Sequence, residues 1–226
     1  MPAARHYPVY LDLRGRLAVV VGGHQPGEAK VQGLLEAGAR VRLVTRCLTS
    51  TLSLLVQQGR IEHLARPYRR GDLEGAFLAL SVLADAEVNQ VFWEEAEELG
   101  IPANVMDDTE RCSFIAPAIF RRGDLAVAIS TGGSAPALAV RLKERLEGLI
   151  GQEYARFLEW ASALRKPLAL LHPRFGVRRE IWYRLVDSDV LELLERGETD
   201  SARRRVQEIT GVLLPNPKPT RRSHAA

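Results

Sequence analysis

Residues 17–44 read LAVVVGGHQPGEAKVQGLLEAGARVRLV, and this stretch decides the fold. Leu17 to Val21 is a short apolar run stopped by Gly22 and Gly23, the pattern of a strand buried on both faces. Glu28 to Ala37 follows as a helix with Ala29, Leu34 and Leu35 turned inward, and Gly38 stands where a left-handed residue ends a helix. Val41 to Val44 is then a second strand, so the stretch is one βαβ unit with parallel strands.

The alternation continues outward. Thr49 to Gln58 reads as helix, Ile61 to Leu64 and Phe77 to Val82 as strands, Glu87 to Leu99 as helix and Ala103 to Met106 as strand. The expected fold class is therefore α/β, a Rossmann-like doubly wound parallel sheet over residues 1–113. Beyond Asp108 two β-like runs, Phe114 to Phe120 and Leu125 to Ser130, flank the turn RRGD and suit an antiparallel hairpin. Ser134 as N-cap and Pro136 in the first turn open a helix to about Ile150. Residues 114–150 thus form a second segment, and 151–212 a small helical module with Tyr154, Phe157, Leu158, Trp160, Ile181, Trp182 and Leu185 as core candidates. Residues 213–226 are Pro-rich and charged and read as a disordered tail.

Composition narrows the function classes. The 226 residues are 46% apolar, enough for a real core, and the net charge of +3 comes from basic residues mixed among 28 acidic ones. With no recognised binding motif beside that charge, a nucleic-acid partner is not expected. No stretch reaches the ~18 uninterrupted apolar residues of a membrane span, and MPAARHYPVYLDL has no apolar core of a signal peptide. The two cysteines, Cys47 and Cys112, form neither a disulfide framework nor a metal-ligand pair, so a cytoplasmic location is expected. The five histidines, His6, His24, His63, His172 and His224, lie far apart and give no metal site.

Two places carry chemistry. Asp107 stands at the C-terminal end of the strand NVM, the sheet edge where ligands of open parallel sheets bind; the plain alternative is that Asp107 and Asp108 cap a turn. Ser130, Thr131, Gly132 and Gly133 precede a helix N-terminus whose free N–H groups attract anions; the plain alternative is a strand-to-helix turn.

Taken in order, YPVYLDLRGR, VVVGG with Lys30 downstream, LLEAGARV, EVNQ, NVMDDTERCSFIAPAIF, AISTGGSAPALAVRLKERLE, SDVLELLERGE and EITG make the chain similar to a known family over about residues 7–212. It resembles the bifunctional precorrin-2 dehydrogenase/sirohydrochlorin ferrochelatase that forms the siroheme-synthase module. The resemblance implies an interlocked homodimer that oxidises precorrin-2 to sirohydrochlorin with NAD and then inserts ferrous iron, its second substrate. It implies that Asp107 serves both reactions, taking a proton as hydride leaves and stripping pyrrole N–H protons as iron enters. It also implies that Ser130, Thr131, Gly132 and Gly133 bind the tetrapyrrole.

The cofactor loop departs from the family's Gly-Gly-Gly-x-Val-Ala. Here it reads Gly22-Gly23-His24-Gln25-Pro26-Gly27, with an imidazole where backbone must approach a pyrophosphate and a proline that removes one N–H. The family's Ala-Thr-Asp appears as Val82-Leu83-Ala84, losing a hydroxyl. At the end of the second strand, where an acid would hold the ribose diol, stand Thr45-Arg46-Cys47, and Arg46 suits either solvent or a 2′-phosphate. Gly22, Gly23, His24, Gln25, Pro26, Arg46 and Cys47 are the candidate cofactor-binding residues. Two rivals to the dehydrogenase follow: an NAD-independent metal chelatase with a degenerate cofactor loop, and a non-catalytic tetrapyrrole carrier.

Overall fold

Val19 and Val20 are wholly withdrawn from solvent and Ala18 and Val21 nearly so, as a strand covered on both faces must be. With Leu17 they form β1 (Leu17–Val21). The structure, a computed structural model, describes residues 6–215. After β1 come α1 (Gln25–Glu36), β2 (Arg40–Val44), α2 (Ser50–Gln57), β3 (Glu62–Leu64), β4 (Leu78–Ser81), α3 (Ala86–Leu99) and β5 (Ala103–Val105). Strands β1 to β5 pair in parallel. A further strand, β6 (Asp108–Cys112), adds antiparallel to β5, so the sheet order is β3-β2-β1-β4-β5-β6. This is the doubly wound arrangement, whose ligand edge lies at the carboxyl ends of the parallel strands.

Helix α1 starts three residues earlier than the apolar pattern predicts. Pro26 explains this, because its fixed φ suits the first turn and its missing N–H would have no helical partner there. The longer helix buries Gly27, Val31 and Leu34, leaves Leu35 half-buried and turns Ala29 to solvent, against the expected inward face.

The hairpin is β7 (Ala118–Arg122) with β8 (Leu125–Ile129), shorter than expected at its start. Phe114 instead packs on the core beneath β1 and β2, and its carbonyl accepts from Asn104 Nδ2 at 3.0 Å. Helix α4 (Pro136–Leu149) follows, capped by Ala135 and not by Ser134. The expected cap is replaced by Thr131, whose Oγ1 accepts from the Ala135 N–H at 3.1 Å. The rest divides into α5 (Gln152–Leu171), α6 (Phe175–Val186), α7 (Val190–Glu195) and α8 (Thr199–Thr210). Ile181 and Leu185 are buried as expected, while Tyr154, Phe157, Leu158, Trp160 and Trp182 are half-buried around a centre of Leu164, Leu168, Val190 and Val206.

The chain forms two compact units, one running to Ala116 with Gly132–Ser134 added, the other Pro117–Thr131 and Ala135 onward. Of the segment expected as a disordered tail, Leu213–Pro215 are described: Leu214 is buried, and Arg203 donates to the carbonyls of Leu214 and Pro215. Residues 216–226 lie outside the described residues. Among the described residues no helix is long and apolar enough to cross a membrane.

Candidate functional site

In the first unit, the loops after β1, β2, β4 and β5 leave the sheet at the same edge. Packing alone requires the three glycines after β1. Gly22 has φ +109°, and a Cβ there would stand 2.7 Å from Val82 Cγ2. A Cβ on Gly23 would come within 2.0 Å of the Cys47 carbonyl oxygen, and one on Gly27 within 2.1 Å of the Gly22 carbonyl oxygen. Leu83, in place of a threonine, lies against the same turn.

His24 is the N-cap of α1, with φ −81° and ψ −176°, extended backbone that any residue adopts. Its ring makes no capping hydrogen bond and is exposed, as are Gln25 and Pro26. The first helical donor is Glu28, bonded to the His24 carbonyl at 2.9 Å, so the N–H groups of Gln25 and Gly27 precede the ladder. Pro26 has none to offer.

After β2, Thr45 closes a tight turn: its Oγ1 donates to the Cys47 carbonyl at 3.0 Å and accepts from the Cys47 N–H at 3.2 Å. His63 Nε2 lies 3.0 Å from the Thr45 carbonyl, which makes that nitrogen the protonated donor. Arg46 and Cys47 are exposed, and among the described residues no hydrogen bond or ion pair engages Arg46.

The two adjacent aspartates after β5 differ. Asp108 Oδ1 accepts from the Arg111 N–H at 3.2 Å and its other oxygen from the Arg111 guanidinium, which Gln90 Oε1 also holds at 2.7 and 2.9 Å. The Arg111 guanidinium holds the Asp108 carboxyl below the usual carboxylate range. Asp107 is exposed, and among the described residues no hydrogen bond or ion pair engages its side chain. Its φ is +61°, the lone left-handed value among the described non-glycine residues. Aspartate tolerates that region better than most residues, yet the conformation still costs free energy and is held by its surroundings.

Sequence reasoning missed the Asp108–Arg111–Gln90 network and β6 beneath it. It also missed Cys112, whose thiol donates to the carbonyls of Val105 and Asp108 where the β5–β6 register shifts. Burial pushes that thiol up, so it is a packed, neutral group. The one available signal was the Asp108–Arg111 spacing, which also fits a solvated turn.

Of the expected substrate residues, Gly132 (φ +62°) and Gly133 (φ +86°) are left-handed, and a Cβ on Gly133 would meet Thr109 Cγ2 of β6 at 3.5 Å. Those two belong to the first unit and Ser130 and Thr131 to the second. Among the described residues no group of three or more His, Cys, Asp or Glu could hold a metal ion.

Comparison with known proteins covers nearly the whole chain. Residues 9–118 match an NAD(P)-binding family, 122–149 the sirohaem biosynthesis protein central family, and 153–209 the sirohaem synthase dimerisation region. The siroheme synthase of Photobacterium profundum is 33% identical over 210 residues, 93% of this chain and 45% of the relative. Siroheme synthase 1 of Aeromonas salmonicida is 38% identical over 198 residues, 87% of this chain and 42% of the relative. The chain thus spans less than half the length of these relatives. A solved structure named SirC, precorrin-2 dehydrogenase, is similar in fold, with a TM-score of 0.73 at 24% identity, over 92% of this chain and 100% of that one. With three consecutive family matches and these relatives, the chain belongs to the siroheme-synthase family.

Proposed function

We propose that the chain oxidises precorrin-2 to sirohydrochlorin with a nicotinamide dinucleotide and inserts ferrous iron into the product, with Asp107 as the acid–base group of both steps. The observation that carries the reading is the contrast between the two aspartates. Asp108 is spent on Arg111, whereas Asp107 is held in a left-handed conformation at the ligand edge with its carboxylate exposed and unengaged among the described residues.

The loops fit the cofactor's backbone requirements. Gly22 and Gly27 keep the tight turn and the close helix–strand approach, Gln25 and Gly27 have N–H groups for a pyrophosphate, and this reading assigns the exposed Arg46 to the ribose end. His24 has an ordinary backbone and an unattached ring, which is free to swing out of the pyrophosphate position. When bound, the nicotinamide ring supplies the hydride acceptor. Dehydrogenation removes one hydride and one proton, and the Asp107 carboxylate takes the proton. Metal insertion releases two pyrrole N–H protons, which the same carboxylate passes to solvent in turn.

In this reading Gly132 and Gly133 of the first unit receive tetrapyrrole carboxylates. The working form is a homodimer, supported by the match to a dimerisation region and by the exposed apolar residues Ile119, Leu138 and Leu149 of the second unit. His24, Pro26 and Leu83 favour a second reading, a chelatase that needs no nicotinamide. Supplying precorrin-2 with NAD or NADP, following sirohydrochlorin absorbance and then adding ferrous ion tests both. Iron insertion into supplied sirohydrochlorin without any oxidation of precorrin-2 selects the second.

A further inference from the structure

We propose that Arg46 makes the adenosine end of the cofactor cleft a 2′-phosphate site, so that the chain accepts NADP at least as well as NAD; this rests on the nicotinamide-binding reading above. In a doubly wound sheet the residues after the second strand meet the adenosine ribose. A carboxylate there binds the 2′- and 3′-hydroxyls of NAD, and an arginine there accommodates the extra phosphate of NADP. Here the segment from 45 to 49 is Thr-Arg-Cys-Leu-Thr and holds no carboxylate.

The structure places this segment against the cofactor turn, since the Cys47 carbonyl oxygen would lie 2.0 Å from a Cβ on Gly23. Thr45 is not available to a ribose hydroxyl, because its own hydroxyl is closed on both the N–H and the carbonyl of Cys47. The turn is further tied to β3 by the Thr45 N–H on the Leu64 carbonyl at 3.1 Å and by His63 on the Thr45 carbonyl. A fixed backbone therefore carries an exposed guanidinium that no described residue engages. The next strand end presents Arg66, but its guanidinium is already held by Asp72 at 2.6 and 2.8 Å. Arg46 is thus a cation at this edge left for a ligand, and a guanidinium binds a phosphate dianion through paired N–H groups that a ribose hydroxyl cannot match.

The test uses the full chain and titration calorimetry, with adenosine 2′,5′-bisphosphate against 5′-AMP as probes of the adenosine end, and NADP against NAD as whole cofactors. The expected result is a bisphosphate preference of roughly tenfold or more in the wild type, falling to about one in Arg46→Ala. NADP is expected to bind at least as tightly as NAD, and Cys47→Asp combined with Arg46→Ala to turn the preference toward NAD. Equal binding of the two probes by the wild type, or a preference unchanged in Arg46→Ala with a native circular dichroism spectrum, overturns the proposal. Tight NAD binding without NADP binding overturns it alone and leaves the dehydrogenase reading standing; failure to bind either cofactor removes both.

Discussion

Gly27 lies so close beneath Gly22 that a methyl group on it would stand 2.1 Å from the Gly22 carbonyl oxygen. The first turn of α1 is thereby pressed onto the end of β1, and the pyrophosphate turn is shaped by packing before any ligand arrives. Gly27→Ala is expected to lower unfolding free energy by about 1–3 kcal/mol, because the backbone must shift to relieve the clash. It should also weaken nucleotide binding. Urea denaturation and calorimetry on the same variant check both effects.

Asp107→Asn is the informative catalytic variant, because asparagine keeps the left-handed backbone while losing the charge. Loss of a positioned acid–base group is expected to cost ~10²–10⁴-fold in sirohydrochlorin formation and in metal insertion. The melting temperature should stay at its wild-type value. Asp108→Asn should do the reverse, loosening the Arg111–Gln90 link with the smaller effect on turnover.

His24→Gly is expected to tighten nucleotide binding by clearing the pyrophosphate position, with wild-type affinity equal at pH 6 and pH 8. Weaker binding by the glycine variant, together with tighter wild-type binding at pH 6, would instead make the protonated imidazole a donor to phosphate. Calorimetry of the two proteins at both pH values distinguishes the outcomes.

Acid stability depends on Asp72. Burial pushes its carboxyl up, but the paired guanidinium of Arg66 and the Arg69 N–H at 2.9 Å outweigh this and hold it below the usual range. Its folded pKa lies beneath the unfolded value of ~3.9, so the stability it contributes is complete above about pH 5 and lost as pH falls through the folded value. Asp72→Asn should therefore unfold at lower urea than wild type at pH 7, by about 1–3 kcal/mol, with the gap closing toward pH 3.

The homodimer predicts a mass of about twice the 25.1 kDa chain by light scattering at micromolar concentration. Leu138→Glu, a change on an exposed apolar position of α4, should lower that mass without changing helix content.

The parallel sheet was legible in the sequence because its central strands β1 and β4 are covered on both faces and are apolar but for Ser81, and because Gly38, Gly59 and Gly100 mark the helix ends. The order of the motifs likewise carried the family. Strand β6 was not legible, since Asp108–Cys112 reads DTERC, without apolar alternation, and owes its extended form to pairing along the edge of β5. Nor were the roles of the two aspartates. Adjacent identical residues carry the same local information, and what separates Asp107 from Asp108 is the position of Arg111, itself held by Gln90, a residue 21 positions earlier in the chain on α3. The sequence by itself determined which segments could be buried. Only the tertiary structure decided which charges neutralise one another, because that depends on where the fold holds each side chain, as Gln90 holds the Arg111 guanidinium.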